Sequence, residues 1–468
     1  MSNKYWQVSK LNFLQKFLSP MQITKLTQVY HKFCARIIDR YEVEAPTIVS
    51  RSSNSTLNEI EELTGIKNTE KIKLEESFGN YYKNSNNNTY LDMYQNNGMN
   101  VMGYNHRTLS SKVKLEYLQQ GLINNFNDTP SLEYINELKH LLEFAPGSLN
   151  HVHVNQNYEI VIENTLRLAC LSLISNNENP KLEKYTILTF DGGKYQNNAT
   201  QIEFPLISHP YIENSNENLA EEERVLESLK KKIYELKSNN TTIPALIIEP
   251  IQYEAGVRYA SPSFYREILK VCRDENIKSV IDETYTCGWV TGRKYAYLNW
   301  VSEIEPDFVI FGGRMQLSGC FYKNDIINLE ELEKKNISLP SFDLNVDTAK
   351  LNSLLLLNKE VYDRDWLDLH CNDFISSVKS EIDEIKQKSR LSIKNFRGIG
   401  KMFAFDVDHR LIRDEIVSLS NYNGFKVGSL GDKTIVFTPS LLFTEVHFSH
   451  YKEFLINIKP TTQFFSKI

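Results

Sequence analysis

Two acidic segments of the sequence stand where chemistry could take place. One is Glu249–Gly256 and the other is Ile281-Asp282-Glu283, about 30 residues later, and each directly follows a short apolar run typical of a β-strand. In an open α/β sheet, ligands bind outside the carboxyl ends of the strands. A carboxylate there could bind a cation, act as a base or pair with a protonated ring nitrogen. Acids at strand ends also cap the following helix, so neither segment defines a site alone.

Alternating strands and helices would position these carboxylates. Strands are predicted at 186–190, 245–248, 279–281 and 308–311, and helices at 222–238 and from Ser261-Pro262 onward. This alternation predicts a mainly parallel sheet flanked by helices. Outside it, the sequence predicts a β-hairpin at 78–94, a strand at 401–407, a hairpin around Gly431 and a helix at 445–459.

Composition sets broad limits on the function. The chain has 468 residues and a mass of 54.4 kDa, with 53 basic and 59 acidic residues and a net charge of −6. This balance gives no electrostatic signature of nucleic-acid binding, and no apolar run approaches the ~20 residues of a membrane span. The six cysteines form no CxxC pair, and His151 and His153 lack a third ligand at suitable spacing, so no metal site is predicted.

The two acidic segments belong to a longer series of motifs. The series continues with Thr286, Gly288, Thr291-Gly292, Phe311-Gly312, Gln316, Gly319, Arg397–Gly400 and Gly428–Lys433. In this order it resembles the class III (fold type I) pyridoxal-phosphate (PLP) aminotransferases, with the 4-aminobutyrate and lysine ε-aminotransferase branch as the nearest. The resemblance covers roughly residues 41 to 465.

The resemblance implies a definite architecture. It implies the PLP-transferase fold type I, an α/β fold with a mainly parallel seven-stranded sheet and a smaller α+β domain built from both chain ends. The corresponding division is a basic extension at 1–40, the start of the small domain at 41–95, a large cofactor-type domain at 96–345 and the rest of the small domain at 346–468. It also implies a dimer, either of identical chains or with an aminotransferase-like paralogue.

The lysine that carries the family's Schiff base is where the resemblance fails. In the family it lies in a segment reading Phe-Gly-Lys-Lys or similar, whereas this chain has Phe311-Gly312-Gly313-Arg314. Glycine has no amine and arginine stays protonated at workable pH, so neither Gly313 nor Arg314 can be the nucleophile. The next lysine, Lys323, is nine residues downstream of Arg314.

Other cofactor and substrate contacts implied by the resemblance differ as well. The phosphate-binding turn corresponds to Asn155–Ile160, which has lost its glycine and carries the acidic Glu159. Five further positions carry a different residue type: Lys194 for the ring-stacking aromatic, Asn197 and Val436 for two substrate arginines, Asp343 for a phosphate-binding threonine, and Tyr285 for a glutamine.

One cofactor contact is kept. Asp282 is the family's partner of the pyridine nitrogen, while Glu254, like Glu249 and Gln252, is interpreted as stabilising its loop. One retained group does not offset the lost ones. We therefore expect a dismantled cofactor site with no catalytic residue, no PLP and no enzymatic activity.

The composition of the first 38 residues bears on the subcellular location. They contain no Asp or Glu, and they carry six basic residues among apolar residues at helical spacing. Such a segment resembles a mitochondrial transit peptide, and a retained surface arm is the alternative. It predicts a mitochondrial location.

Two functions follow from these expectations. The first is a structural or accessory subunit, in a dimer or a large mitochondrial assembly. The second is an enzyme or binding protein that uses Arg314 and Lys194 to hold a phosphorylated metabolite in the remodelled cleft. A conventional 4-aminobutyrate transaminase ranks third, because the chain lacks the lysine at position 313.

Overall fold

The computed structural model describes residues 71–106, 132–176, 184–195, 199–207, 216–300, 304–337, 348–358 and 364–458. The basic N-terminal segment lies outside these residues, so its prediction as a transit peptide stays a prediction. The domain boundaries at 40, 95 and 345 also stay predictions.

A small antiparallel meander opens the described part of the chain. It consists of β1 (Ile72–Phe78), β2 (Tyr81–Asn84) and β3 (Thr89–Asp92). Gly79, at φ 57°, makes the turn between the first two strands. The hairpin predicted at 78–94 is therefore confirmed.

A seven-stranded sheet follows. Its strands are β4 (His151–Asn155), β5 (Leu188–Phe190), β6 (Thr200–Ile202), β7 (Ala245–Ile248), β8 (Lys278–Asp282), β9 (Phe308–Phe311) and β10 (Ser318–Tyr322). The spatial order is β4-β10-β9-β8-β7-β5-β6. Strand β10 is antiparallel to both neighbours, and all other pairs are parallel. The predicted fold type I α/β sheet is confirmed.

Helices cover the sheet. They are α1 (Leu132–Leu142), α2 (Tyr158–Asn176), α3 (Asn216–Ser238), α4 (Pro262–Asp274), α5 (Leu329–Lys334) and α6 (Thr348–Leu356). The next helix, α7 (Arg364–Lys388), packs instead with the C-terminal part of the chain. Helix α4 begins as its sequence predicts: the Ser261 hydroxyl accepts the Phe264 N–H and Pro262 occupies the first turn. Its buried face packs Phe264, Ile268 and Cys272 into the core under the sheet.

The C-terminal part forms a second, smaller α+β layer. It contains β11 (Lys394–Ile399), β12 (Met402–Asp406), α8 (Arg410–Tyr422), β13 (Phe425–Lys426), β14 (Gly428–Leu430), β15 (Thr434–Phe437) and α9 (Glu445–Asn457). Strand β13 pairs in parallel with β3, which joins the two ends of the described chain in one sheet. The predicted strand at 401–407, hairpin at Gly431 and final helix are confirmed. Among the described residues, no helix has the length and apolar character needed to cross a membrane.

Candidate functional site

The two acidic segments lie at the carboxyl ends of adjacent parallel strands. Asp282 is the last residue of β8, and Glu249 directly follows β7. Both side chains are buried, with 4% of Asp282 and 7% of Glu249 exposed. The placement expected from the sequence is confirmed, because parallel strands bring their carboxyl ends to one edge of the sheet.

Asp282 is held by partners from its own chain. Tyr195 Oη donates to Oδ2 at 2.5 Å, and Thr284 donates to Oδ1 from its hydroxyl at 2.5 Å and from its backbone N–H at 2.9 Å. Burial acts to raise the pKa of Asp282, but the charge of Lys194 and these hydrogen bonds outweigh it and hold the pKa below its usual value. Asp282 is therefore a buried negative charge.

The cation facing this charge is Lys194. Its ammonium lies 3.6 Å from Asp282 Oδ2, and only 7% of its side chain is exposed. The ring centroids of Tyr158 and Tyr285 lie 4.2 Å and 4.5 Å from the same nitrogen. The ammonium forms no hydrogen bond with any of the described residues. Two aromatic faces and one carboxylate thus enclose a buried ammonium whose N–H groups have no hydrogen-bond acceptor among the described residues.

A pocket of about 480 Å³ opens beside this amine. Its described lining consists of Met99, Gln156, Asn157, Tyr158, Lys194, Thr284, Tyr285, Gly313, Gln316, Ser318 and Lys350. Two of these residues are lysines and none is acidic. The pocket therefore presents hydroxyls, amides, the Lys350 ammonium and the Lys194 side chain, whose charge Asp282 balances from behind.

The segment predicted to replace the phosphate-binding turn does lie at this pocket. Helix α2 begins at Tyr158, and the preceding Asn157 accepts the Glu159 N–H through its side chain at 2.8 Å. Glu159 itself is exposed and does not line the pocket. The negative charge that the sequence placed near a ligand phosphate is thus turned toward solvent.

Position 313 is adapted to glycine. Gly313 has φ +38°, in the left-handed region, and a Cβ built there would lie 2.4 Å from Met99 Sδ and 3.0 Å from the Thr284 carbonyl oxygen. The Met99 side chain occupies the space into which a side chain at 313 would extend. The end of β9 is therefore packed with an apolar side chain rather than an amine.

Arg314 does not belong to the pocket. It is fully buried and absent from the lining residues, and its Nη1 would lie 1.9 Å from a Cβ on Gly98. Its charge points toward the turn at Gly98 and Thr438. The expectation that Arg314 and Lys194 hold one ligand together is corrected: Lys194 faces the pocket and Arg314 does not.

The remaining positions singled out by the sequence are dispersed. Glu254 is exposed and accepts a 3.4 Å hydrogen bond from Tyr285, which places it at the rim of the site. Val436 is fully buried in β15, opposite Ala404 and Gly428, as part of an apolar cluster. Asn197 and Asp343 lie outside the described residues.

Two further carboxyl groups at this edge have perturbed pKa values. Burial raises the pKa of Glu249 to about 7, and the negative charge of Asp282 adds to this effect. The backbone N–H of Lys194 donates to Glu249 Oε1 at 2.8 Å and acts in the opposite direction. Burial also raises the pKa of Glu283 to about 7, against hydrogen bonds from Thr286, Tyr297 and Ala296. Titratable groups shifted toward neutrality beside a cleft are typical of functional sites.

Sequence reasoning missed four of the described pocket residues: Met99, Thr284, Ser318 and Lys350. Thr284 carried a usable signal, because it directly follows the acidic pair Asp282-Glu283 at the end of a strand. Met99 and Lys350 carried none, since each is distant in sequence from both acidic segments.

Comparison with known proteins identifies the family. Residues 65–458 match the family described as "Aminotransferase class-III". This chain belongs to the class III aminotransferases.

Curated relatives of this class III aminotransferase agree. It is 25% identical to a protein named "Probable 4-aminobutyrate aminotransferase, mitochondrial" from Caenorhabditis elegans, over 80% of this chain and 85% of that one. It is 23% identical to the human "4-aminobutyrate aminotransferase, mitochondrial", over 88% and 90%. The "4-aminobutyrate aminotransferase" of Schizosaccharomyces pombe is 24% identical, over 80% and 86%.

Solved structures show the same fold. A lysine aminotransferase from M. tuberculosis in the internal aldimine form aligns with TM-score 0.70 and 18% identity, covering 85% of this chain and 98% of that one. An omega-aminotransferase from Paracoccus denitrificans aligns with TM-score 0.70 and 16% identity, covering 87% and 95%.

Two expectations from the sequence are wrong in the light of this family. The protein was expected not to be an enzyme, but the family is enzymatic and the relatives are named as transaminases. It was also expected to have lost PLP, but class III aminotransferases, the structural neighbours included, are PLP-dependent. Both expectations were drawn from substituted contact positions, chiefly 313. Substitution at one position does not remove amines elsewhere, and two lysines line the pocket.

The side chains of the pocket match the charge of PLP, but the pocket lacks a lysine at the position where the family attaches PLP. Its two lysines and several hydroxyls match an anionic, phosphorylated molecule, and Asp282 is in place at the strand end. Gly313 offers no amine, and Met99 closes the space beside it. When bound, PLP supplies an aldehyde carbon and an electron-withdrawing ring. In this chain Lys194, Lys350, Thr284 and Ser318 would hold such a molecule.

Proposed function

We propose that this class III aminotransferase is an enzyme of amine or carbonyl metabolism whose pocket takes a small phosphorylated carbonyl compound. The observation that carries the proposal is the composition of the pocket: two lysines and no acidic residue among its described lining. Lysine binds phosphate as a point charge, and a charge-assisted hydrogen bond is about twice as strong as a neutral one.

Lys194 is the anchoring charge of this site. Its side chain is buried between two tyrosine rings, so its attraction for an anion is screened less than that of a surface lysine. Asp282, behind it, fixes its position and is itself only 2% exposed at the side chain. Lys350 lies at the exposed edge of the pocket, where it supplies a second positive charge.

Calorimetric titration of the full-length protein tests this proposal. Pyridoxine 5′-phosphate, PLP and glyceraldehyde 3-phosphate should bind, and pyridoxal without phosphate should bind more weakly. Lys350→Ala should weaken the phosphorylated ligands by about tenfold, corresponding to about 1.4 kcal/mol. Lys323→Ala is the matched control, because Lys323 pairs with Glu305 outside the pocket. Equal affinity for pyridoxal and PLP would contradict the proposal.

Transamination of 4-aminobutyrate is the second candidate, favoured by the names of the relatives. The test is the formation of glutamate from 4-aminobutyrate and 2-oxoglutarate in the presence of PLP. Against this substrate stands Val436, which is buried and apolar where the resemblance implies a carboxylate-binding arginine.

For assembly, we propose a homodimer, which is typical of class III aminotransferases. Light scattering should give twice 54.4 kDa. A heterodimer or a role as an accessory subunit of a large mitochondrial complex stays a prediction, as no described residue supports either. Copurification of a second chain at equal stoichiometry would favour the heterodimer over the homodimer.

For location, we propose the mitochondrion, supported by the names of the animal relatives and by the basic N-terminal segment. Fusing residues 1–40 to a fluorescent protein tests it. Import of the fusion is expected, and a cytosolic signal would contradict the proposal.

A further inference from the structure

The pocket amine that lies beside the buried carboxylate of Asp282 comes from the loop after β5, not from the end of β9. Among the described lining residues, amines are carried by Lys194 and Lys350, and Lys350 is exposed. Lys194 lies four residues after Phe190, the last residue of β5. This is on the other side of β8 from Gly313, which follows β9.

We propose that Lys194 is the residue that bonds covalently to the carbonyl carbon of the pocket's ligand. The inference rests on the proposed function, because it needs a carbonyl compound in this pocket. It assigns the covalent role to an amine that stands at a different position from the one the family uses.

The surroundings of Lys194 favour this bond. The amine nitrogen forms no hydrogen bond with the described residues, so nothing must be broken to free it for attack apart from its contact with Asp282. The Tyr158 and Tyr285 rings cover it on two sides and limit the access of water, which would otherwise hydrolyse the C=N bond. Lysine is a usual nucleophile toward carbonyl groups, and here the bond forms only after a proton has left an ammonium that Asp282 and the two rings stabilise.

Formation of the C=N bond is balanced in atoms and in charge. The ammonium releases a proton, the neutral nitrogen adds to the carbonyl carbon, and the carbonyl oxygen leaves as water. The C=N nitrogen then takes a proton back, so one positive charge is present before and after. Asp282, 3.6 Å from the lysine nitrogen and with its pKa held low, is the counter-ion that stabilises this retained charge.

Position 313 cannot compete for the ligand. Gly313 has no side chain, and Met99 Sδ stands 2.4 Å from the Cβ site, so the β9 end offers neither an amine nor space for one. Compared with the family, the amine lies on the other side of the pocket, in the loop after β5 instead of at the end of β9. Asp282, between these two positions, is kept.

Reductive trapping tests the inference. The full-length protein is incubated separately with PLP and with glyceraldehyde 3-phosphate, reduced with cyanoborohydride, digested and analysed by mass spectrometry. The expected result is one dominant adduct on Lys194 that excess pyridoxine 5′-phosphate suppresses, because that molecule has the phosphate but no carbonyl. Trapping with PLP alone identifies PLP as the ligand source, and trapping with both identifies the wider class of phosphorylated aldehydes.

Matched variants separate a covalent role from a structural one. Lys194→Arg keeps the charge beside Asp282 but offers no nucleophile, so it should still bind pyridoxine 5′-phosphate and should lose the adduct. Lys323→Arg should keep the adduct. Dominant adducts on Lys350, or on surface lysines with no protection, would overturn the inference.

The two proposals fail in distinguishable ways. Binding of pyridoxine 5′-phosphate without any adduct on Lys194 would overturn the covalent role and leave the phosphate pocket standing. An adduct on Lys194 that forms equally well with pyridoxal would support the covalent role and overturn the preference for phosphate.

Discussion

The ends of the adjacent strands β8 and β9 differ in character: the end of β8 carries a buried charge, and the end of β9 is apolar. Strand β8 ends in Asp282, a buried charge with Lys194, Tyr195 and Thr284 as partners. Strand β9 ends in Phe311 and is followed by glycines, with Met99 packed where a side chain at 313 would stand. A buried charge is tolerated in a folded protein only when its ion-pair and hydrogen-bond partners are present, because an uncompensated one is strongly destabilising. The polar end is therefore the one that retains the means for chemistry.

The largest expected effect comes from breaking the polar end. Lys194→Met should lower the free energy of unfolding by about 3–5 kcal/mol, because it leaves Asp282 as an uncompensated buried charge. Urea denaturation at neutral pH measures it. Lys323→Met, which breaks the partly exposed pair with Glu305, should cost less than about 1 kcal/mol. Similar losses for both variants would mean that the β8 end does not depend on its cation.

The next effect tests the apolar end. Gly313→Lys should destabilise the fold by about 3 kcal/mol, since the new Cβ meets Met99 and the φ of +38° disfavours any side chain. Adding Met99→Ala should recover part of this loss by opening space, while the backbone cost of about 1–2 kcal/mol remains. Thermal unfolding of both variants checks the prediction. If Met99→Ala worsens the Gly313→Lys variant, Met99 does not fill the lysine's space.

A smaller effect separates the hydrogen bonds of Asp282 from its ion pair. Tyr195→Phe removes one donor to the carboxylate and should cost about 2 kcal/mol, within the range for hydrogen bonds to charged groups. It should also raise the pKa of Asp282, because a hydrogen bond to the charged form is lost. The loss in urea denaturation should therefore be larger at neutral pH than in acid. A pH-independent loss would contradict the charged state of Asp282.

The smallest effect extends the comparison to the neighbouring strand β7. Burial raises the pKa of Glu249 to about 7, above its ordinary value near 4.5. This carboxyl group therefore takes up extra protons on folding, and the stability it contributes is full below about 4.5 and is lost as the pH rises to about 7. Glu249→Gln should flatten the fall in the unfolding midpoint over that window. Glu283→Gln should remove a further part, because its pKa is also about 7.

Much of the large sheet could be predicted because local signals agreed with the tertiary structure. Apolar runs gave β7, β8 and β9, and the Ser261-Pro262 start gave α4. Strands β4, β6 and β10 were not predicted as sheet members. Strand β6 has three residues, and only its pairing with β5 defines it.

The candidate site was predicted only in part. The sequence correctly predicted that Asp282 ends a strand, and it shows directly that position 313 is not a lysine. The inference drawn from that substitution, loss of cofactor and activity, was wrong for the family, because it treated one position as the only possible source of an amine. The placement of Lys194 in a tyrosine-lined pocket depends on contacts between β5, β8 and α2 that no local pattern records.

The sequence by itself determined the family, the strands β5, β7, β8 and β9 and the absence of an amine at position 313. These follow from local residue types, which act through hydrophobic periodicity, turn geometry and side-chain chemistry. Only the tertiary structure decided that Arg314 is turned away from the pocket, that Met99 fills the space beside Gly313 and that Lys194 faces Asp282. The physical reason is that burial and charge pairing are set by residues distant in sequence, which meet only when the sheet and its helices have packed.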